Sequence, residues 1–213
     1  MEVLPLLLIK GIIVGIIVAA PMGPVNIIVI QRTITRGGFS ALITGSGGAI
    51  GDGVFAIIAA LGLTAARHFV EEHEFWFRLP GGLFMLVLAF FVWRRHPHME
   101  ETDDSSGLVR SVITTFLLTI SNPITVAGFA ALFVAFGLTT GFDYVAASAV
   151  VIGVVAGSML WWVIVVSAVR LLHGHIEDRH LEIFNRYAAV AVFLFGIYAI
   201  DSVTTRFLDQ LLA

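Results

Sequence analysis

The chain has 213 residues, 58% of them hydrophobic and 13% charged, against roughly 25% charged in a soluble domain, and its mean hydropathy is +0.97. A soluble core of this length needs charged surface, yet residues 111–142 and 144–169 carry no charge, and each run exceeds the ~20 apolar residues that cross hydrocarbon. The net charge of −3 comes with no basic tract for nucleic acid, and the absence of Cys excludes disulfides, thiolate metal sites and thiol catalysis.

Six apolar segments follow one another: Val3–Ile30, Phe39–Ala66, Phe75–Trp93, Ser111–Phe136, Tyr144–Val169 and Tyr187–Thr205. The first is expected to be a retained span. Met1-Glu2 offers no basic leader, and the apolar run to Ala20 is longer than a signal core. In lipid such segments must be helices, because isolated strands leave amides unpaired. The alternation of a β-barrel strand is missing.

The first segment is interrupted by Ala20-Pro21-Met22-Gly23-Pro24-Val25-Asn26, and the fourth by Ile120-Ser121-Asn122-Pro123-Ile124-Thr125. Proline lacks the helical N–H and clashes with the preceding turn, but it suits the first turn of a new helix. Each long segment is therefore expected to be two half-helices. The second segment carries Gly47-x-x-x-Gly51-Asp52 and the fifth carries Gly153-x-x-x-Gly157-Ser158. The same order in both halves predicts an internal repeat. A unit of three spans repeats upside down, as in many secondary transporters. The expected fold is an all-α integral membrane protein of six transmembrane helices, built as two inverted three-helix repeats with helices 1 and 4 broken. Its parts are 1–93, a charged cytoplasmic loop 94–110, and 111–213.

Orientation follows from the loops. Arg32 and Arg36, then Arg94, Arg95 and Arg110, then Arg170, Arg179 and Arg186 fall on one side; Arg67, Arg78 and Arg206 fall on the other. Basic loops stay inside, so both termini are expected outside a bacterial plasma membrane. The middle loop also holds Glu100, Glu101, Asp103 and Asp104.

The breaks suggest a binding site. The N–H groups opening the second half-helices, at Pro24 and Pro123, carry the positive dipole end and suit a carboxylate. The carbonyls ending the first halves suit an ammonium group or a coupling cation. Asn26, Asn122, Ser121 and Thr125 add polar side chains beside the breaks, and Ser158, the polar residue after the second G-x-x-x-G, is a further substrate-binding candidate. Asp52 has no charge within ten residues on either side. An intramembrane carboxylate is costly and marks function, either by pairing with a substrate ammonium or by taking up a coupling proton. A structural account competes at each position: close helix packing for Gly47, Gly51, Gly153 and Gly157, a tolerated kink for each proline, a structural hydrogen bond for Asp52. Lys10 and Asp201 lie within spans, where Lys10 can snorkel to the interface or pair with Asp201. Trp161 and Trp162 share a face with Ser158, and packing or lipid contact competes with lining a pathway. His173, His175 and His180, with Glu177 and Asp178, and His96 with His98 read as solvated loops rather than metal ligands.

Pro21-Met22-Gly23-Pro24, the turn ending Arg36-Gly37-Gly38, Gly47-x-x-x-Gly51-Asp52 and Ser121-Asn122-Pro123 together resemble the LysE/RhtB-type amino-acid exporters over nearly the whole chain. The resemblance implies gradient-driven efflux of amino acids, with Pro24, Pro123 and Asp52 around a central pathway. Ile124 stands where that family often has lysine. Wider relatives export metals or pass electrons through cysteines; the lack of Cys excludes the second and weakens soft-metal export. The expected function is a secondary exporter of amino acids or similar small polar metabolites, coupled to the proton gradient. A divalent-cation exporter and a non-transport membrane scaffold are the alternatives. Catalytic and nucleotide motifs are absent from the sequence, so no enzyme activity and no cofactor are expected. The expected partners are the lipid bilayer, an amino-acid substrate and a coupling proton, with a homodimer allowed and no nucleic acid.

Overall fold

In the computed structural model of the chain the described residues are 3–65, 74–94, 107–136, 138, 144–172 and 178–212, and every element among them is an α-helix. The elements are α1 (Val3–Ala19), α2 (Pro24–Arg36), α3 (Gly38–Ala65), α4 (Glu74–Arg94), α5 (Leu108–Ile120), α6 (Pro123–Ala135), α7 (Tyr144–Leu171) and α8 (Asp178–Leu212). Most of the middle loop, with His96, His98, Glu100, Glu101, Asp103 and Asp104, lies outside the described residues, as do Arg67, Arg95, His173, His175 and Glu177.

Proline sets both breaks. α1 stops at Ala19, and α2 leaves at 85° from it, with Pro24 at its first turn. Only Ser121 and Asn122 separate α5 from α6, which Pro123 opens. At the junction of α2 and α3 the chain turns on Gly37, whose φ of 82° is a conformation that favours glycine.

Among the described residues, Gly38–Ala60, Tyr144–Leu171 and Asp178–Tyr198 are long and apolar enough to cross a membrane, and the bent α1–α2 pair makes a fourth candidate. Shorter apolar stretches run over Leu79–Arg94 and Leu108–Ile120. Ile57, Ile58, Phe90, Phe91, Ile113, Leu117 and Leu194 all point outward. Apolar surface on this scale suits hydrocarbon rather than water, and the molecule is a multi-pass membrane protein.

Glycine decides how the helices pack. Along α1 and α7, which run parallel, a Cβ on Gly11 would meet the Gly153 Cα at 3.0 Å, and one on Gly15 would meet the Ser158 nitrogen at 2.9 Å. From the other side, a Cβ on Gly157 would meet the Ile12 Cα at 2.8 Å. The backbones touch, as small residues allow in membranes. The Gly153–Gly157 motif thus interlocks with a second one, Gly11-x-x-x-Gly15, that sequence inspection passed over. A similar parallel seam joins α3 to α5. There a Cβ on Gly51 would meet the Thr119 Cβ at 3.0 Å, and the Thr115 hydroxyl donates to the Thr44 carbonyl at 2.7 Å. All four glycines singled out for packing sit in these seams.

α3 and α7 cross antiparallel: Gly38 lies against Val166, Gly45 against Trp162 and Gly53 against Val155. Two apolar cores flank the crossing. One gathers Val14, Ala56, Phe129, Leu132, Val150 and Val154; the other gathers Met22, Val29, Ala49, Trp161, Trp162 and Val165. Both long helices pass from one core to the other. α4 packs on α8 and on α6.

Two expectations need correcting. Arg32 is not a loop residue: α2 continues to Arg36, and Arg32 is 2% exposed. The sixth segment starts earlier than Tyr187, at Asp178, so Arg179, His180 and Arg186 are helical rather than in a loop. An acidic first turn suits a helix start, and Glu182 pairs with Arg186 at 3.8 Å, one turn on along the same face.

Candidate functional site

Asp52 is the fifteenth residue of the 28-residue α3, and Ser158 is the fifteenth of the 28-residue α7. Each helix is about 42 Å long at 1.5 Å per residue. Because they cross antiparallel, their midpoints meet. The Ser158 hydroxyl donates to Asp52 Oδ2 at 2.6 Å, and both residues are buried. The polar residue after each G-x-x-x-G motif therefore touches its counterpart, in the gap between the two apolar cores.

The first break lies beside this pair and is tied by side chains. Asn26 Nδ2 donates to the Ala19 and Pro21 carbonyls, at 3.1 Å each. Asn26 Oδ1 accepts from the Trp161 indole at 2.9 Å. The Met22 amide donates to Asn185 Oδ1 at 3.2 Å, while the Asn185 amide donates to the Val92 carbonyl. The expectation that the Asn26 amide and the carbonyls ending the first half-helix face a ligand is thus replaced by an internal brace. What the Asn26 side chain leaves open is the N–H groups of Val25 and Asn26, which have no intrahelical partner by geometry; Pro24 has no N–H, and the Ile27 N–H donates to the Gly23 carbonyl at 3.2 Å.

Backbone holds the second break. The Ser121 N–H donates to Leu117 at 3.0 Å, the Asn122 N–H to Thr119 at 3.2 Å, and the Thr125 N–H to Asn122 at 3.1 Å. Ser121 is exposed and lines neither of the cavities described next. The Pro123 side chain is outside the described residues.

Two cavities adjoin at the breaks. The smaller, about 70 Å³, is polar; its walls include Pro24, Asn26, Asp52, Thr119, Asn122 and Trp162. The larger, about 120 Å³, is lined mainly by Ile17, Met85, Leu88, Phe91, Leu132 and Val192. Val18, Pro21, Gly23, Asn122 and Thr125 line both. Trp162 lies in a slot made by two glycines, where a Cβ on Gly45 would meet its Cγ at 2.7 Å and one on Gly48 its Cζ2 at 3.2 Å. Its indole N–H is buried and has no hydrogen-bond partner. Such a group normally has one.

The two ends of the molecule are fastened by basic side chains. Arg32 Nε donates to the Ser40 hydroxyl at 3.0 Å, and Arg32 also donates to the Ser111 hydroxyl, tying α2 to the starts of α3 and α5. At the opposite end Lys10 donates to the Phe136 carbonyl at 3.0 Å rather than pairing with Asp201. Asp201 lies exposed on α8, away from both cavities.

Of the residues that sequence reasoning offered for a binding site, Pro24, Asn26, Asp52 and Asn122 line the polar cavity and Ser158 donates to Asp52, while Ser121 lines neither cavity and the Pro123 side chain is outside the described residues. It missed Arg32 and Asn185. The signal for Arg32 was its place on a stretch whose Asn26, Val29, Ile30 and Thr33 are also buried. For Asn185 it was an amide just ahead of an apolar run.

A family model described as LysE type translocator matches residues 16–202. No curated protein and no solved structure matches the chain.

Proposed function

The chain belongs to the LysE type translocator family, a family of membrane exporters, and from that premise we propose that it is a secondary transporter of amino acids or similar small polar metabolites, driven out of the cytoplasm by the proton gradient. The observation carrying this is the buried Asp52–Ser158 pair at the midpoint of two antiparallel helices, with Asp52 lining a polar cavity beside a broken helix.

A zwitterion suits such a cavity. The first turn of α2 offers N–H groups and the positive dipole end to a carboxylate. Among the described residues of the cavity wall, Asp52 is the one acidic group, and it can hold an ammonium or carry a proton. Those two roles exclude each other at one carboxylate, which gives a route to coupling: protonation of Asp52 releases the ammonium, and loss of the proton restores the site.

The inverted repeat is part of the same proposal and is supported by the packing. α1 runs parallel to α7 and α3 parallel to α5, each pair joined through glycines, while α3 and α7 cross antiparallel at Asp52 and Ser158. Exchanging the first three segments for the last three maps one seam on the other. Six spans follow if α5–α6 crosses as a broken pair, α4 crosses with its shorter apolar stretch and α8 crosses once. Arg32 at one end and Lys10 at the other then act as alternate closures of the pathway. With the arginine-rich loops inside, both termini lie outside the plasma membrane. Because the chain has no Cys, single cysteines at Asp104 and Arg179 test this directly. Both should be shielded from an impermeant reagent applied to intact cells, and labelling from outside would reverse the orientation.

The function itself is tested in proteoliposomes loaded with labelled amino acids, with and without an imposed pH gradient. Saturable, gradient-dependent release is expected. Release no faster than from empty liposomes, by folded protein, would contradict the proposal and turn attention to divalent cations.

A further inference from the structure

Asp52 and Trp162 both line the polar cavity, and the Trp162 indole N–H is buried and without a partner. An N–H in that state is a donor kept for an acceptor that arrives from elsewhere. The indole cannot tilt away to find one within the protein, since α3 clasps it at Gly45 and Gly48. Across Pro21 and Asn122 the second cavity continues from the first, and its own walls are apolar: Ile17, Met85, Leu88, Phe91, Leu132 and Val192. Among the described residues lining the two cavities, Asp52 alone carries a charge. A basic side chain entering the second cavity would meet no carboxylate, and an acidic one no cation; either would be a desolvated charge without a partner. An aliphatic side chain would fit its surroundings.

We propose that the substrate is a zwitterionic amino acid with an uncharged aliphatic side chain, held with its ammonium toward Asp52, its carboxylate accepting from the Trp162 indole N–H, and its side chain in the apolar cavity. The inference rests on the exporter reading above and narrows its substrate class. It makes Trp162 a binding residue and the apolar cavity the specificity pocket.

Gly128 gives a clean way to test the pocket. It lines the apolar cavity, and a Cβ there would meet no described atom within 4 Å. Gly128→Val therefore fills the cavity without pushing on its walls. Trp162→Phe keeps an aromatic ring in the glycine slot and removes the N–H donor, together with the part of the indole that lies against Gly48.

The experiment is release from proteoliposomes loaded in turn with labelled leucine, valine, alanine, lysine and glutamate, for the wild type and both variants, each checked for folding by gel filtration in detergent. Wild type should release leucine and valine at least about tenfold more efficiently than alanine, since a missing methylene in an apolar pocket is worth on the order of 10-fold, and should retain lysine and glutamate. Gly128→Val should lose leucine and keep alanine. Trp162→Phe should raise KM on the order of 10-fold with the maximal rate little changed. Release of lysine or glutamate with leucine retained would overturn the inference and leave the exporter standing. Unchanged leucine transport by Gly128→Val would show that the cavity is not the side-chain pocket, and an unchanged KM in Trp162→Phe would remove the indole from the site. Release of no amino acid by folded wild type would overturn the exporter reading along with it.

Discussion

The two broken helices carry the same proline device but are held by different means. At the first, α1 and α2 meet at 85°, and the bend is braced by Asn26, Trp161 and Asn185 from three helices. At the second, the carbonyls of Leu117, Thr119 and Asn122 take up the local N–H groups. A sharp turn leaves several backbone groups without a partner in a region that has no water to supply one, so side chains must do it. A short interruption can repair itself. The first break is therefore a fixed wall of the site. Asn122 at the second lines both cavities, in a turn whose local N–H groups are satisfied by backbone.

This contrast can be broken by substitution. The largest stability effect should come from Asn26→Ala. It strips the brace from the Ala19 and Pro21 carbonyls and leaves the Trp161 indole N–H unpaired, a loss of about 3 kcal/mol at about 1–3 kcal/mol per unsatisfied buried group. A fall in the melting temperature of the detergent-purified protein would register it; an unaltered melt would mean the brace is dispensable. Asn185→Ala should act in the same direction but less, about 2 kcal/mol, since Met22 and Val92 each lose a single bond to it. Asn122→Ala should invert the pattern, with stability within about 1 kcal/mol of wild type but efflux slowed on the order of 10-fold, one charge-assisted hydrogen bond being worth about that factor. A melt that drops as far as that of Asn26→Ala would erase the distinction between the breaks. The smallest effect belongs to Ser121→Ala, an exposed position outside both cavities, where melting and efflux should both stay near wild type, within about 0.5 kcal/mol.

The breaks, the glycine seams and the central polar residues were legible in the sequence because each is written in residues with strong local rules. Proline removes a donor wherever it stands, and a lone Asp52 in an apolar run has no surface to reach. Gly47, Gly51, Gly153 and Gly157 could be assigned to packing, though not to partners, since a motif does not name the helix it meets. Asn26 shows the limit more sharply. Its position beside the break was evident, but whether its amide faced a ligand or braced the backbone depended on a 3.1 Å approach to Ala19 and Pro21 that only the bend creates. Arg32 was misplaced because its charge argued for a loop. The hydroxyls of half-buried Ser40 and buried Ser111, drawn from elsewhere in the chain, outweighed that local signal. The early start of α8 was hidden for the same reason: a polar, charged first turn looks like a loop until the face carrying Leu181, Asn185 and Ala188 is seen to be buried.

The account turns on Asp52 as the group through which the proton gradient is felt. The most direct test compares wild type with Asp52→Asn, a change that keeps the side chain's shape and its contact with Ser158, in proteoliposomes where substrate release is followed across imposed pH gradients. Wild-type release should rise with the gradient, while Asp52→Asn, folded and inserted, should show release on the order of 10- to 100-fold lower and no response to it. Gradient-driven release by Asp52→Asn at the wild-type rate would contradict the account and take the central carboxylate out of the mechanism.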